Sequence, residues 1–336
     1  MWQLAPLPRK LDAAIRDLAD EKAKVRISAI GDLTRFADGD QRETVIAELL
    51  KMLRDDDGEV RAQAATALGD AVATQAVMPL LVMIEDEHPL ARQLAVEALG
   101  AIGDPRAAAR LRRALDDDRP EIRFQATIAL PRVDAEDAER ALAQATTDED
   151  HAVRYIALRV AEERVSTDGK PLGDELAAAA AARLEDERPE IRVAAALVLA
   201  AAGRDDGRAV LLAVVDDQLK TPEPEDEAAA LEAAGKLGLE DARLGLAKRA
   251  WGVGRLLRER HGVHARIALA LMGDERARLE IVADLESWSL VRRTAAAMSV
   301  GRARIASARG ALEAIRGRPD RADPSVVEEA LHALDG

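Results

Sequence analysis

The sequence has no cysteine and only six aromatic residues: three Trp, one Tyr and two Phe. The first absence excludes disulfides, thiolate metal sites and cysteine nucleophiles. The second removes side chains that strands favour and that bases stack on. No apolar run approaches the ~18 residues of a membrane span, and MWQLAPLPRKLD (1–12) lacks the apolar core of a signal peptide. No Gly-rich dinucleotide motif, phosphate loop or HExxH is present, and no G-x-S-x-G stands in a strand–turn–helix context. These gaps lead us to expect a cytoplasmic chain with no membrane insertion, no cofactor and no resident metal.

What is abundant is alanine, 71 of 336 residues, within a 48% hydrophobic composition. Alanine is the best helix former, so an all-α fold with a thin, close-packed core is expected. One word recurs seven times: an acid, Arg six positions later, and Ala three after that. It reads Asp20/Arg26/Ala29, Asp55/Arg61/Ala64, Asp86/Arg92/Ala95, Asp117/Arg123/Ala126, Asp148/Arg154/Ala157, Asp186/Arg192/Ala195 and Glu286/Arg292/Ala295. From Arg61 to Arg154 the arginines are 31 residues apart. A fixed period of this size means stacked repeats.

The stretch 105–131 shows the unit. Leu111 and Leu115 lie on one stripe of a first helix that ends at Asp116–Asp118, and Pro120 opens a second helix. Ile122, Ala126, Ala129 and Leu130 then follow at helical spacing. Such a hairpin cannot bury both helices alone, so it stacks. The acid before the second helix is expected to cap it. The apolar residue before each Arg, Val291 included, should face the core, and Ala should admit a close helix approach. Each guanidinium should bridge to a turn carboxylate of the neighbouring unit, a ladder that fixes register.

EVRAQAATALGD (59–70) and LARQLAVEALGAIGDPRA (90–107) resemble the HEAT-repeat family, in particular its short units of the phycobiliprotein-lyase type. The resemblance implies an inter-repeat ladder at the seven pairs above. It implies an α-solenoid, a superhelix of about ten hairpins: 7–37, 41–70, 74–102, 105–131, 135–164, 173–202, 206–238, 241–272, 275–300 and 303–335. The whole chain, 1–336, is expected to be one such solenoid. Its parts would be a regular acidic region (1–215), an irregular, insertion-bearing and basic region (216–321) and a cap (322–336).

The net charge of −14 conceals an uneven distribution: 1–240 carries −18, 241–321 carries +8 and the tail −4. The overall acidity argues against a general nucleic-acid binder. The surplus residues of VSTDGKPLGD (165–174) lengthen one interval, and DDQLKTPEPEDE (216–227) interrupts the seventh hairpin. The word then fails for two hairpins. Aligning Leu237 and Met272 to the repeat Leu puts Ala230 and Ala265 where Arg belongs.

The acidic turns, Asp55–Asp57 to Glu185–Glu187, read chiefly as solvated caps along one edge. His261 and His264 are spaced to share a helix face, but no third metal ligand accompanies them. The sharpest candidates for partner contact are Trp251, Arg255, Arg258, Arg260, Trp288 and Arg293, since Arg and Trp are favoured at binding hot spots. The reading is a non-catalytic scaffold or adaptor whose partner is another protein, contacted within 216–293. Two alternatives stay open: a DNA-binding, glycosylase-like enzyme using the basic third, and a chromophore-lyase-like protein.

Overall fold

The computed structural model describes residues 10–252 and 261–335. Within them it is all α-helical, with short 3-10 turns and no strand, and no helix is long and apolar enough to cross a membrane. Among the described residues the helices pair in ten hairpins. The first five are α1 (Leu11–Asp17) with α2 (Ala23–Leu33), α3 (Arg42–Met52) with α4 (Gly58–Asp70), α5 (Val77–Met83) with α6 (Pro89–Ile102), α7 (Ala108–Ala114) with α8 (Pro120–Val133), and α9 (Ala138–Ala145) with α10 (His151–Ser166). The next five are α11 (Asp174–Ala182) with α12 (Pro189–Ala201), α13 (Arg208–Val215) with α14 (Pro224–Lys236), α15 (Arg243–Trp251) with α16 (Gly262–Leu271), α17 (Glu275–Asp284) with α18 (Leu290–Arg302), and α19 (Arg309–Ile315) with α20 (Pro324–Ala333). The chain divides into two compact units, 1–160 and 161–336, at a boundary inside α10.

In the first unit the second helices pack on one another in succession: α2 on α4, α4 on α6, α6 on α8. Ala29, Ala64, Ala95 and Ala126 are fully buried there, because helix axes this close leave no room for a longer side chain. The A-L-G ending has the same cause. A Cβ at Gly100 would lie 2.7 Å from the Ala129 Cβ and 2.8 Å from its Cα. In the second unit a Cβ on Gly301 of α18 would stand 2.7 Å from the Cα of Ala330 on α20. Core cohesion comes from the wider residues between, among them Leu68, Leu99 and Leu130, each worth about 1.5–3 kcal/mol on burial.

The ladder aspartates act one step outside the helices they precede. Asp86 accepts from the His88 N–H at 2.8 Å and Asp148 from the Asp150 N–H at 2.8 Å, closing the turn before the helix begins. Capping of first-turn N–H groups falls to other residues, such as Asp57, which accepts from the Glu59 and Val60 N–H groups.

Two alignments from the sequence are corrected by the packing. Glycine stands eleven residues after the start of α4, α6 and α18 (Gly69, Gly100, Gly301) and again in α14 (Gly235). This register puts Glu227, not Ala230, at the ladder arginine position of α14. In α18 it puts Arg293 and Ala296 where Arg292 and Ala295 were expected. Ala296 and Arg293 are buried, and Arg292 is exposed.

Candidate interaction site

In the first unit the ladder is a repeated bidentate contact. Arg26 donates from Nε and Nη2 to both carboxylate oxygens of Asp55 at 2.8 and 2.6 Å, and from Nη1 to the Asp20 carbonyl at 2.9 Å. Arg61 repeats this with Asp86 at 2.8 and 2.6 Å and the Asp55 carbonyl at 2.8 Å. Arg123 does so with Asp148 at 2.8 and 2.9 Å and the Asp117 carbonyl at 2.8 Å. The word's own Asp thus binds its Arg through the main chain, and the next unit's Asp binds it through the side chain. Burial works against the charge on Asp55 and Asp86, yet the guanidinium, its charge and a main-chain N–H together outweigh it and hold both carboxyls below their ordinary range.

One rung differs. Arg119, beside Asp117 in the turn, takes both oxygens of that carboxylate at 2.6 and 2.7 Å. Arg92 keeps the Asp86 and Glu87 carbonyls at 2.8 and 3.0 Å, its nearest carboxylate is Glu121 at 3.9 Å, and its buried Nε has no partner. Arg154 binds the carbonyls of Asp148 and Glu149, and Arg192 lies 3.4 Å from that of Asp186. Outside the rungs the ridge is solvated: Asp56, Glu87 and Glu149 are almost wholly exposed.

The second unit departs from this plan through its charges. Glu227, at an arginine position, receives Arg249 from α15 at 2.6 Å, and the same guanidinium caps the end of α13 through the Val214 and Val215 carbonyls at 2.6 and 2.8 Å. The rung is inverted, with the acid on the second helix and the cation on the next first helix. Nearby, Glu232 is 7% exposed and accepts from His264 Nδ1 at 2.7 Å and Arg302 at 3.0 Å. Burial disfavours its charge, but these two donors outweigh burial and keep it ionised below the usual carboxylate value. Sequence reasoning missed Glu232 because its partners lie 32 and 70 residues away.

Of the residues singled out from the sequence, the described ones, Trp251, Trp288 and Arg293, stand in different settings. Arg255, Arg258 and Arg260 lie outside the described residues. Trp251 is half-buried, donates its indole N–H to Glu280 at 2.7 Å and carries Arg276 on its ring face at 4.0 Å. This is a packed side chain with its polar edge satisfied. Arg293 is buried in the rung of α18: it binds the Ser287 carbonyl at 2.7 Å, the Asp320 carbonyl at 2.8 Å and the Arg321 carbonyl. Main-chain carbonyls here replace the carboxylate. Arg292 is half-exposed, 3.7 Å from Asp284.

Trp288 differs from Trp251 and Arg293, being 91% exposed. It precedes the cap residue Ser289 of α18, the position that Asp56, Glu87 and Asp118 hold before their helices. Leu290 and Val291 follow, exposed at 46% and 78%. Val291 therefore does not face the core as its place before Arg292 suggested. It holds the second helical position, where α4, α8 and α12 have Glu59, Glu121 and Glu190.

Comparison with known proteins bears on the fold. Residues 46–131 match the family model for HEAT repeats, in agreement with the resemblance read from the repeated word. No curated protein matches the sequence. Among solved structures the chain is similar to E. coli YibA, with 17% identity over 78% of this chain and 92% of that one and a TM-score of 0.57. It is similar to a chain of the Kap95p–RanGDP complex, with 13% identity over 96% of this chain and 51% of that one and a TM-score of 0.55. The CpcE–CpcF complex of phycocyanin lyase from Nostoc sp. PCC7120 matches with 19% identity over 81% of this chain and 96% of that one, at a TM-score of 0.45. At these identities the likeness shows an all-α solenoid and no more.

Proposed function

We propose that this HEAT-repeat-bearing chain is a non-catalytic interaction scaffold, and that it engages a partner protein at the turn formed by residues 286–291. One observation supports the reading above the others: Trp288 is 91% exposed where the regular turns carry Asp56, Glu87 and Asp118, and it stands beside the exposed Leu290 and Val291. Buried tryptophans dominate binding energies, and an exposed one next to two aliphatic residues is unfavourable in water until covered. The ladder supplies stiffness, since Arg26, Arg61 and Arg123 each clamp a carboxylate of the next repeat and Arg293 clamps main-chain carbonyls of the next repeat. Trp251, the other described tryptophan, already has its partners within the chain and is not part of the contact.

A photo-crosslinking residue placed at Val291 in the native cell tests this, with the same residue at Val82, exposed on α5, as control. A discrete adduct at Val291 and none at Val82 is expected. Equal labelling at both, or none at either, would sink the reading.

A further inference from the structure

We infer that the rung at Arg92 has two states, in which Asp117 and Glu121 change places between Arg92 and Arg119. In the observed state Arg119 holds both oxygens of Asp117 at 2.6 and 2.7 Å, and Arg92 has two carbonyls and a distant Glu121 at 3.9 Å. In the other state Arg92 takes Asp117 through Nε and Nη2, as Arg61 takes Asp86 and Arg123 takes Asp148, and Arg119 takes Glu121. Side-chain torsions suffice for the exchange. The turn itself is closed in the observed state by the Arg119 N–H donating to Asp117 at 3.0 Å, the bond its regular counterparts also make.

The drive toward the other state is the orphaned donor. The Arg92 side chain is 12% exposed, as deeply set as the arginines that hold a carboxylate, yet its buried Nε has no partner among the described residues. What opposes closure is modest, because Arg119 is 29% exposed and keeps Asp117 chiefly by lying two residues away in the chain. The alternative seat for Arg119 is seen elsewhere in the molecule. Asp-x-Arg-Pro-Glu-Ile-Arg occurs twice, at 117–123 and 186–192. In the second copy the turn arginine, Arg188, donates from Nε to Glu190 at 2.9 Å, and Asp186 accepts the Arg188 N–H at 3.1 Å. Glu121 is the residue equivalent to Glu190. In the first unit carboxylates clamp the first hairpin to the second, the second to the third and the fourth to the fifth. The exchange therefore sets whether the step from the third to the fourth hairpin is clamped as well.

Hydrogen–deuterium exchange of the full chain, read over α6 and α8, tests this, because protection there reports how readily the two helices part. Arg119→Gln removes an ion pair and should nevertheless slow exchange in both helices about tenfold, as Asp117 passes to Arg92. Arg119→Lys, which keeps the charge but cannot grip two oxygens, should slow it about threefold. In an Arg92→Met background Arg119→Gln should leave exchange unchanged within about twofold. Should circular dichroism show Arg119→Gln misfolded, Arg119→Lys decides by the same sign. Unchanged or faster exchange in α6 and α8 overturns the inference, since that is what loss of a static pair gives. Slowing that survives Arg92→Met overturns it too, because Asp117 would then have no guanidinium of α6 to reach.

Discussion

Two turns at the same place in the repeat, 55–59 and 287–291, carry different residues at their outward positions. In the first, Asp55 closes the turn and receives Arg26, Asp57 caps α4, and Asp56 and Glu59 face water. In the second, Ser287 closes the turn by accepting from the Ser289 N–H at 3.3 Å and gives its carbonyl to Arg293, Ser289 is the cap, and Trp288 and Val291 face water. The clamp survives in both because a guanidinium accepts a carbonyl or a carboxylate as partner. The outward positions carry no such duty, so they alone are free to change from acid to apolar. On the proposed function, structural and interaction roles fall on different residues of one turn.

The comparison can be broken most sharply at the clamp. Asp86→Ala strands the buried Arg61 guanidinium and should cost about 3 kcal/mol in urea unfolding, whereas Glu286→Ala, at the place the word makes equivalent, should cost under about 0.5 kcal/mol. Next comes register: Arg293→Met should lose about 2 kcal/mol by leaving carbonyls unpaired, and Arg292→Met should be neutral within about 0.5 kcal/mol. Gly100→Val should lose about 2 kcal/mol through its clash with Ala129. Gly31→Ala, with nothing within 4 Å of its new Cβ, should gain about 0.5 kcal/mol.

Acid titration gives a smaller effect. Asp55 and Asp86 have folded values below the unfolded value near 4, so their contribution is present above about pH 4 and is lost as pH falls through the folded values. The pair of substitutions Arg61→Met and Asp86→Leu should flatten that acid limb in a plot of urea midpoint against pH. Smallest of all, Trp288→Ser should leave thermal stability unchanged within about 0.5 kcal/mol, although it removes the centre of the proposed contact.

The repeat was legible because its causes are local and periodic. Leu and Ala at helical spacing, Pro at the start of a second helix, and an acid two residues before the cap each act within one hairpin. The failures are equally instructive. Glu286/Arg292/Ala295 satisfied the word by coincidence, one residue out of register, and Leu237 drew the alignment of α14 three residues away from Glu227. In both helices the distance from helix start to close-packed glycine, eleven residues, was the better signal. Arg293 was singled out as a contact residue, yet its side chain is spent inside the fold, and Trp251 likewise. Trp288 was singled out for the same reason and is exposed.

Residue order alone determined that helices form, where hairpins begin and end, and that an acid and a guanidinium recur at a fixed interval, because these follow from backbone propensity and a 3.6-residue period. Which acid each guanidinium reaches, that Arg119 takes Asp117 from Arg92, that Glu232 is held by residues 32 and 70 positions on, and which of the two described tryptophans is left in water were decided by packing. Such outcomes depend on distances across neighbouring repeats, where fractions of an ångström choose between partners that look alike in one dimension.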